Sequence, residues 1–143
     1  GTFARGANVK HSYAKGGLYK VALALEDGKK LDCSGAKKEH YININTPPVA
    51  DAGPDRAICC VNKLVEFDAS KSFDRDNDSL TYTWDLGDGQ IKQGQKITHS
   101  YKDTGIYKVV LTVADDSDSE CNTSVDSLVS IVNAKPVPVI EII

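Results

Sequence analysis

The sequence has 143 residues, 41% hydrophobic and 26% charged, with a formal net charge of −3, an ordinary composition for a folded domain. That balance offers no basic face of the kind that nucleic acid selects, and no apolar run approaches the roughly 20 residues of a membrane span. The four cysteines, Cys33, Cys59, Cys60 and Cys121, lack the paired C-x2-C spacing of a structural zinc site, so an exported, oxidising setting is expected.

In chain order, the first feature is a segment that returns later. His11-Ser-Tyr13 recurs as His99-Ser-Tyr101 and Tyr19-Lys-Val21 as Tyr107-Lys-Val109, each offset by 88 positions. Gly1 with Gly89, Gly6 with Gly94, Gly17 with Gly105, Leu23 with Leu111, Asp27 with Asp115, Cys33 with Cys121 and Asn45 with Asn133 keep the same offset without a gap. A fixed period of this length marks a repeat architecture. Residues 1–44 then read as the tail of one repeat, 45–132 as a complete repeat, and 133–143 as the opening strand of a third. A half-repeat cannot bury a core alone. The missing strands of 1–44 are therefore expected either from a longer chain, the simpler account, or from a neighbouring chain, which would build a fibre by strand addition.

The complete repeat reads as short strands between turn signals. "PPVADAG" from Pro47 is an extended, proline-rich opening strand suited to an edge. "KLVEFDA" sets Leu64, Glu66 and Asp68 against Val65, Phe67 and Ala69. "SLTYTWDL" places Leu80, Tyr82 and Trp84 on one face. "QKITHSY" is short and ends in the turn "KDTG". "IYKVVLTVA" is apolar nearly throughout, which predicts a central strand covered on both faces. "SVDSLVSIV" closes the repeat. No segment carries a helical period, and strands at this spacing predict an all-β, immunoglobulin-like sandwich. Trp84 is expected as its buried anchor and Tyr107 as a core tyrosine at the corner before the penultimate strand. In "WDLGDG", Asp85, Gly87, Asp88 and Gly89 are expected to shape a turn. A paired-carboxylate hydrolase would need two acids across a cleft, which a tight turn does not supply.

"PPVADAGPD" (47–55), "FDASKSFDRDNDSLTYTWDLGDG" (67–89) and "THSYKDTGIYKVVLTVADD" (98–116) resemble the PKD domain, an immunoglobulin-like β-sandwich found in tandem on secreted and cell-surface proteins. Leu86 stands where that family more often has phenylalanine. Residues 1–44 are similar to the second half of the same family. The resemblance implies an extracellular or cell-surface location and neighbouring PKD repeats of the same or another chain as partners. It also implies calcium at the end where a domain joins its predecessor. Asp74 and Asp76 of the acidic loop, with Asp115 and a backbone oxygen near Asn45, are the matching positions; oxygen ligands suit Ca²⁺, and a solvated acidic loop is the other reading.

In that sandwich order Cys59 and Cys60 fall at one end and Cys121 near the other, roughly 20 Å away for strands of about seven residues. A disulfide needs Cα atoms within about 7 Å. Bonds between repeats or chains, with Cys33 bonding in the same way in the preceding repeat, are therefore expected over bonds within one repeat; free thiols remain the other reading. His11 and His99 read as packing or hydrogen-bonding residues, and no triad is spelled out. The sequence thus predicts a non-catalytic module that spaces, stiffens or assembles a surface or fibre structure, with a polymer-engaging accessory domain of a secreted protease or chitinase as the alternative.

Overall fold

The computed structural model describes residues 2–26 and 35–136. The expected strand at 133–143 and Cys33 fall largely or wholly outside these residues. Among them there are nine strands and no helix, and the chain divides into two compact units at Thr46–Pro47.

The first unit is a hairpin of β1 (Gly17–Glu26) and β2 (Gly35–Ile44), paired antiparallel from Gly17–Ile44 to Glu26–Gly35. Ahead of it, the His11 ring meets Tyr13 edge-on at 4.7 Å, and Tyr13 lies 4.3 Å from Tyr19. The Tyr19 hydroxyl donates to the Lys15 carbonyl at 2.8 Å.

The second unit is a β-sandwich. One sheet has the order β3 (Arg56–Ile58), β9 (Thr123–Val132), β8 (Gly105–Ala114), β5 (Thr81–Asp85), β6 (Ile91–Gln93). The other pairs β4 (Val65–Asp68) with β7 (Lys96–His99). Alternation decides which side chains turn inward. Phe67, Trp84, Ile97, Val109, Leu111, Val113, Leu128 and Val132 fill the core, together with Ala52, Ile58, Ala69, Leu86 and Tyr101. Trp84 is fully buried, tilted against Phe67 at 5.6 Å between ring centroids, and its indole nitrogen donates to the Gly94 carbonyl at 3.1 Å. Burying a side chain of this size removes on the order of 200 Å² from water, worth roughly 5 kcal/mol.

Three expectations change in detail. The opening segment forms no continuous strand. Val49 makes an isolated bridge with Phe73, and side chains take over the rest of its hydrogen bonding. Ser72 Oγ accepts from Asp51 N at 3.0 Å, Asp126 Oδ2 from Ala52 N at 2.8 Å, and Ser124 Oγ from Ala50 N at 3.4 Å. Pro47 and Pro48 have no N–H for a ladder, so backbone pairing can begin only at Val49. Strand β8 is central, but buried on one face only: Val109, Leu111 and Val113 are inside, whereas Val110 and Thr112 are half-buried and Ile106 is exposed. An antiparallel sheet in a two-layer sandwich needs only one covered face. Tyr107 is half-buried and packs against the core, while Tyr101, stacked on it at 4.2 Å, is the tyrosine fully inside. The Tyr107 hydroxyl donates to the Asp103 carbonyl at 3.0 Å, closing a tyrosine corner.

The two units share one more property. Displaced by 88 positions, each β1–β2 partner pair becomes a β8–β9 pair: Gly17–Ile44 becomes Gly105–Val132, and Glu26–Gly35 becomes Ala114–Thr123.

Candidate cation site

The loop between β4 and β5 carries "DRDND". It is anchored at its start by two backbone bonds, Val49 N to the Phe73 carbonyl at 2.8 Å and Phe73 N to the Val49 carbonyl at 3.1 Å. Asp74 then organises the loop: its Oδ1 accepts from Asp76 N at 2.6 Å and, more weakly, from Asp78 N at 3.5 Å. Between them Asn77 takes φ 62°, a left-handed conformation that asparagine tolerates better than most residues.

This turn gathers charge. Asp74, Asp76 and Asp78 each present a carboxylate oxygen within 4.8 Å of the others. Asp74 Oδ2 is buried with no hydrogen-bond partner. Burial pushes the Asp78 carboxyl up from the usual aspartate range, and the charges of Asp74, Asp116, Asp115 and Asp76 push it the same way. Three carboxylates that repel each other around an orphaned buried oxygen fit a hard divalent cation bound by oxygens alone.

Of the positions expected from the sequence, Asp74 and Asp76 come together. Asp78, noted in the acidic loop but not included among the ligands, joins them. Asp115 is buried just after β8, its Oδ1 accepting from Ser117 N at 2.8 Å, and it reaches the cluster through its charge on Asp78. Asn45 belongs to the first unit. Strand pairing puts this site at one end of the sandwich, because Thr81 at the start of β5 pairs with Ala114 at the end of β8, which pairs with Thr123 at the start of β9.

"WDLGDG" resolves as a turn. Gly87 N donates to Asp85 Oδ1 at 3.0 Å, Gln90 N to Asp88 Oδ1 at 3.1 Å, and Leu86 N to the Gln90 carbonyl at 3.0 Å. Gly87 has φ 77°, and a Cβ there would lie 2.6 Å from the Lys108 carbonyl oxygen, so glycine is required twice over. Asp88 Oδ2 also meets Nε2 of the buried His99 at 2.8 Å. Sequence reasoning does not foresee that pair. Its signal is the alternation of β7, which turns His99 inward with Ile97, so that a buried imidazole needs a polar partner. His99 also packs edge-on against Tyr101 at 4.6 Å. Both acids are therefore committed to the turn, and the histidine is a core residue.

Cys121 lies far from Cys59 and Cys60. Cys59 and Cys60 follow β3, whose Ile58 pairs with Val132 at the end of β9, whereas Cys121 precedes the start of β9. Ten residues of strand separate these ends, about 30 Å at 3.3 Å per residue. Cys59 and Cys60 are neighbours in space as well as in sequence: the Cys60 thiol is pushed up first by its hydrogen bond with Cys59 and then by burial.

A family match to the PKD domain covers residues 45–129. The chain belongs to the PKD domain family. Its PKD region has relatives in enzymes. Collagenase ColA of Clostridium perfringens is 36% identical over 100 residues, which is 70% of this chain and 9% of the collagenase. The pre-pro-metalloprotease PrtV of Vibrio cholerae is 33% identical over 98 residues, covering 62% of this chain and 10% of the protease. The chain thus spans about a tenth of the curated relatives it matches. Among solved structures, the PKD1 domain of Vibrio anguillarum Epp superposes with a TM-score of 0.50 at 30% identity, over 64% of this chain and 99% of that domain.

Proposed function

We propose that this chain is a non-catalytic PKD accessory module of an exported enzyme, a spacer whose leading end is fixed by calcium. The observation that carries this reading is that its PKD region is similar to about a tenth of a collagenase and of a metalloprotease. Two features of the site support it. The carboxylates of "WDLGDG" are held in a turn, and the acidic cluster sits beside Val49, where the chain enters the sandwich. Asp74, Asp76 and Asp78 would hold the ion, with Asp115 adding charge. The ion would neutralise their repulsion and tie the opening segment to the β4–β5 loop. A polymer-binding aromatic platform has less support, because Phe73 is the exposed aromatic among the described residues of the second unit.

Calorimetry tests the role of calcium. Ca²⁺ should raise the unfolding temperature by several degrees over EDTA, and Asp74→Asn should remove the increment; an ion bound at 100 times its Kd contributes about 2.7 kcal/mol. In EDTA the raised Asp78 makes folding less favourable as pH climbs from the usual aspartate range through its folded value. Saturating Ca²⁺ should flatten that slope. Peptide hydrolysis by the isolated chain, proportional to its concentration and lost on unfolding, would overturn the non-catalytic reading.

A second reading rests on the cysteines. Cys59 and Cys60 at one end of β9, and Cys121 at the other, suit bonds between successive repeats or chains in a stapled array or fibre. Non-reducing peptide mapping of native-source protein should then join a Cys59 or Cys60 peptide to a Cys121-type peptide of another repeat. A bond within one repeat would sink it.

A further inference from the structure

The first unit presents an apolar face whose counterparts in the second unit are core. Displaced by 88 positions, Val9, Val21, Leu23 and Leu25 correspond to Ile97, Val109, Leu111 and Val113. The first four are 58%, 39%, 54% and 60% exposed; their counterparts are 7%, 0%, 0% and 0% exposed. On the outward side, Leu18 and its counterpart Ile106 are exposed alike, at 69% and 75%. The sheet edge differs in the same way. Strand β8 lies between β9 and β5, whereas among the described residues β1 is paired with β2 alone in a two-stranded sheet. An open edge beside an apolar face is a template for another strand.

The second unit shows what closes such a face and edge: Phe67 of β4 comes from the opposite sheet, and Trp84 of β5 adds its strand beside β8, both within residues 47–88. Charge points the same way. Residues 1–44 contain eight Lys and Arg against four Asp and Glu, a net +4, and residues 47–88 contain four against nine, a net −5. We propose that the first unit is a receptor for the front half of a PKD repeat, a segment with the pattern of Pro47–Asp88. Its tryptophan strand adds antiparallel to Ala22–Glu26 of β1, with the tryptophan opposite Leu23. That register is the β5–β8 register, in which Trp84 faces Leu111, moved back by 88 positions.

The test is a fusion that places a second copy of residues 45–88 directly ahead of Gly1 of the full chain. Gly1 is the counterpart of Gly89, so the junction reproduces Asp88–Gly89. Amide hydrogen exchange is followed by NMR in the fused and unfused chains. The amides of Ala22–Glu26 should slow by about 100-fold or more on fusion. Trp84→Ala in the added copy alone should return them to the unfused rate while β8 stays protected. As a second measurement, an unlabelled peptide of residues 45–88 added to the labelled, unfused chain should shift β1 resonances and leave β8 in place. Unchanged β1 exchange in the fusion together with no β1 shift by the peptide overturns the proposal. So does concentration-dependent protection of β1 in the unfused chain with a dimer mass in sedimentation, which would make a second whole copy the occupant.

Discussion

The hairpins β1–β2 and β8–β9 have one register and two environments. Each spans ten residues per strand, and at the start of each a histidine and a tyrosine ahead of the first strand meet a second tyrosine within it. The second is embedded between β3 and β5 and closes a core; the first has an apolar face in water. Register therefore follows from the local sequence: the tyrosine clasp, with its hydroxyl bonded four residues back, and the alternation of the strands set it in both units. In the second unit, burial comes with the strands ahead of the hairpin, β4, β5 and β7, which bring Phe67, Trp84 and Ile97 into the core.

The largest break in this comparison should come from Trp84→Ala. It leaves a large void beside Phe67 and should destabilise the second unit by about 3–5 kcal/mol, as large-to-small core substitutions do. Denaturant unfolding of the second unit would register the loss, and amide exchange in β1 should not change. A matched pair comes next. Leu111→Ala should cost about 2–5 kcal/mol, whereas Leu23→Ala, its exposed counterpart, should stay within about 0.5 kcal/mol. Equal costs would mean that the face of β1 is already covered in solution.

The smallest effect is electrostatic. In the second unit, the Lys96 ammonium at 2.7 Å, then the Ser70 N–H, hold Asp68 down to about 2. In the first unit, Lys20 and Lys37 hold Glu39 below its usual range. A depressed carboxylate adds stability above its unfolded pKa and loses it as pH falls through its folded value. The difference between wild type and Asp68→Asn should therefore be present above pH about 4 and vanish toward pH about 2. At such exposed pairs it should be small and sensitive to salt. A difference that persists at pH about 2 would assign the effect to packing of the side chain instead.

Much of this was legible in the sequence because it is periodic. Trp84, Phe67 and the inward residues of β8 follow from alternation, and "WDLGDG" declares its turn through glycines that must take positive φ. Three things were not legible. The sequence does not reveal that Ser72, Ser124 and Asp126 stand in for a ladder along Val49–Ala52, since such caps come from segments distant in the chain. The alternating acids are visible, but Asp74 becomes the organiser of the cluster only once the Asn77 turn brings Asp76 and Asp78 back over it. The apolar run of β8 reads as two-faced burial because Val110 and Thr112 look much like core residues until the layer count is known.

One pairing has a mechanical consequence. Strand β3 runs parallel to the last residues of β9, through Arg56–Ser130, Ala57–Ile131 and Ile58–Val132, and Asn133 N adds a bond to the Ile58 carbonyl at 2.9 Å. The chain enters the second unit ahead of β3 and leaves it after β9. Tension between Pro47 and Asn133 therefore drags these two strands past each other along their lengths. The bonds between them are loaded together in shear, where a hairpin pulled at its open end would give up its bonds one by one. The second unit is thus clamped across the line of pull, and can keep its length when the chain on either side is drawn tight.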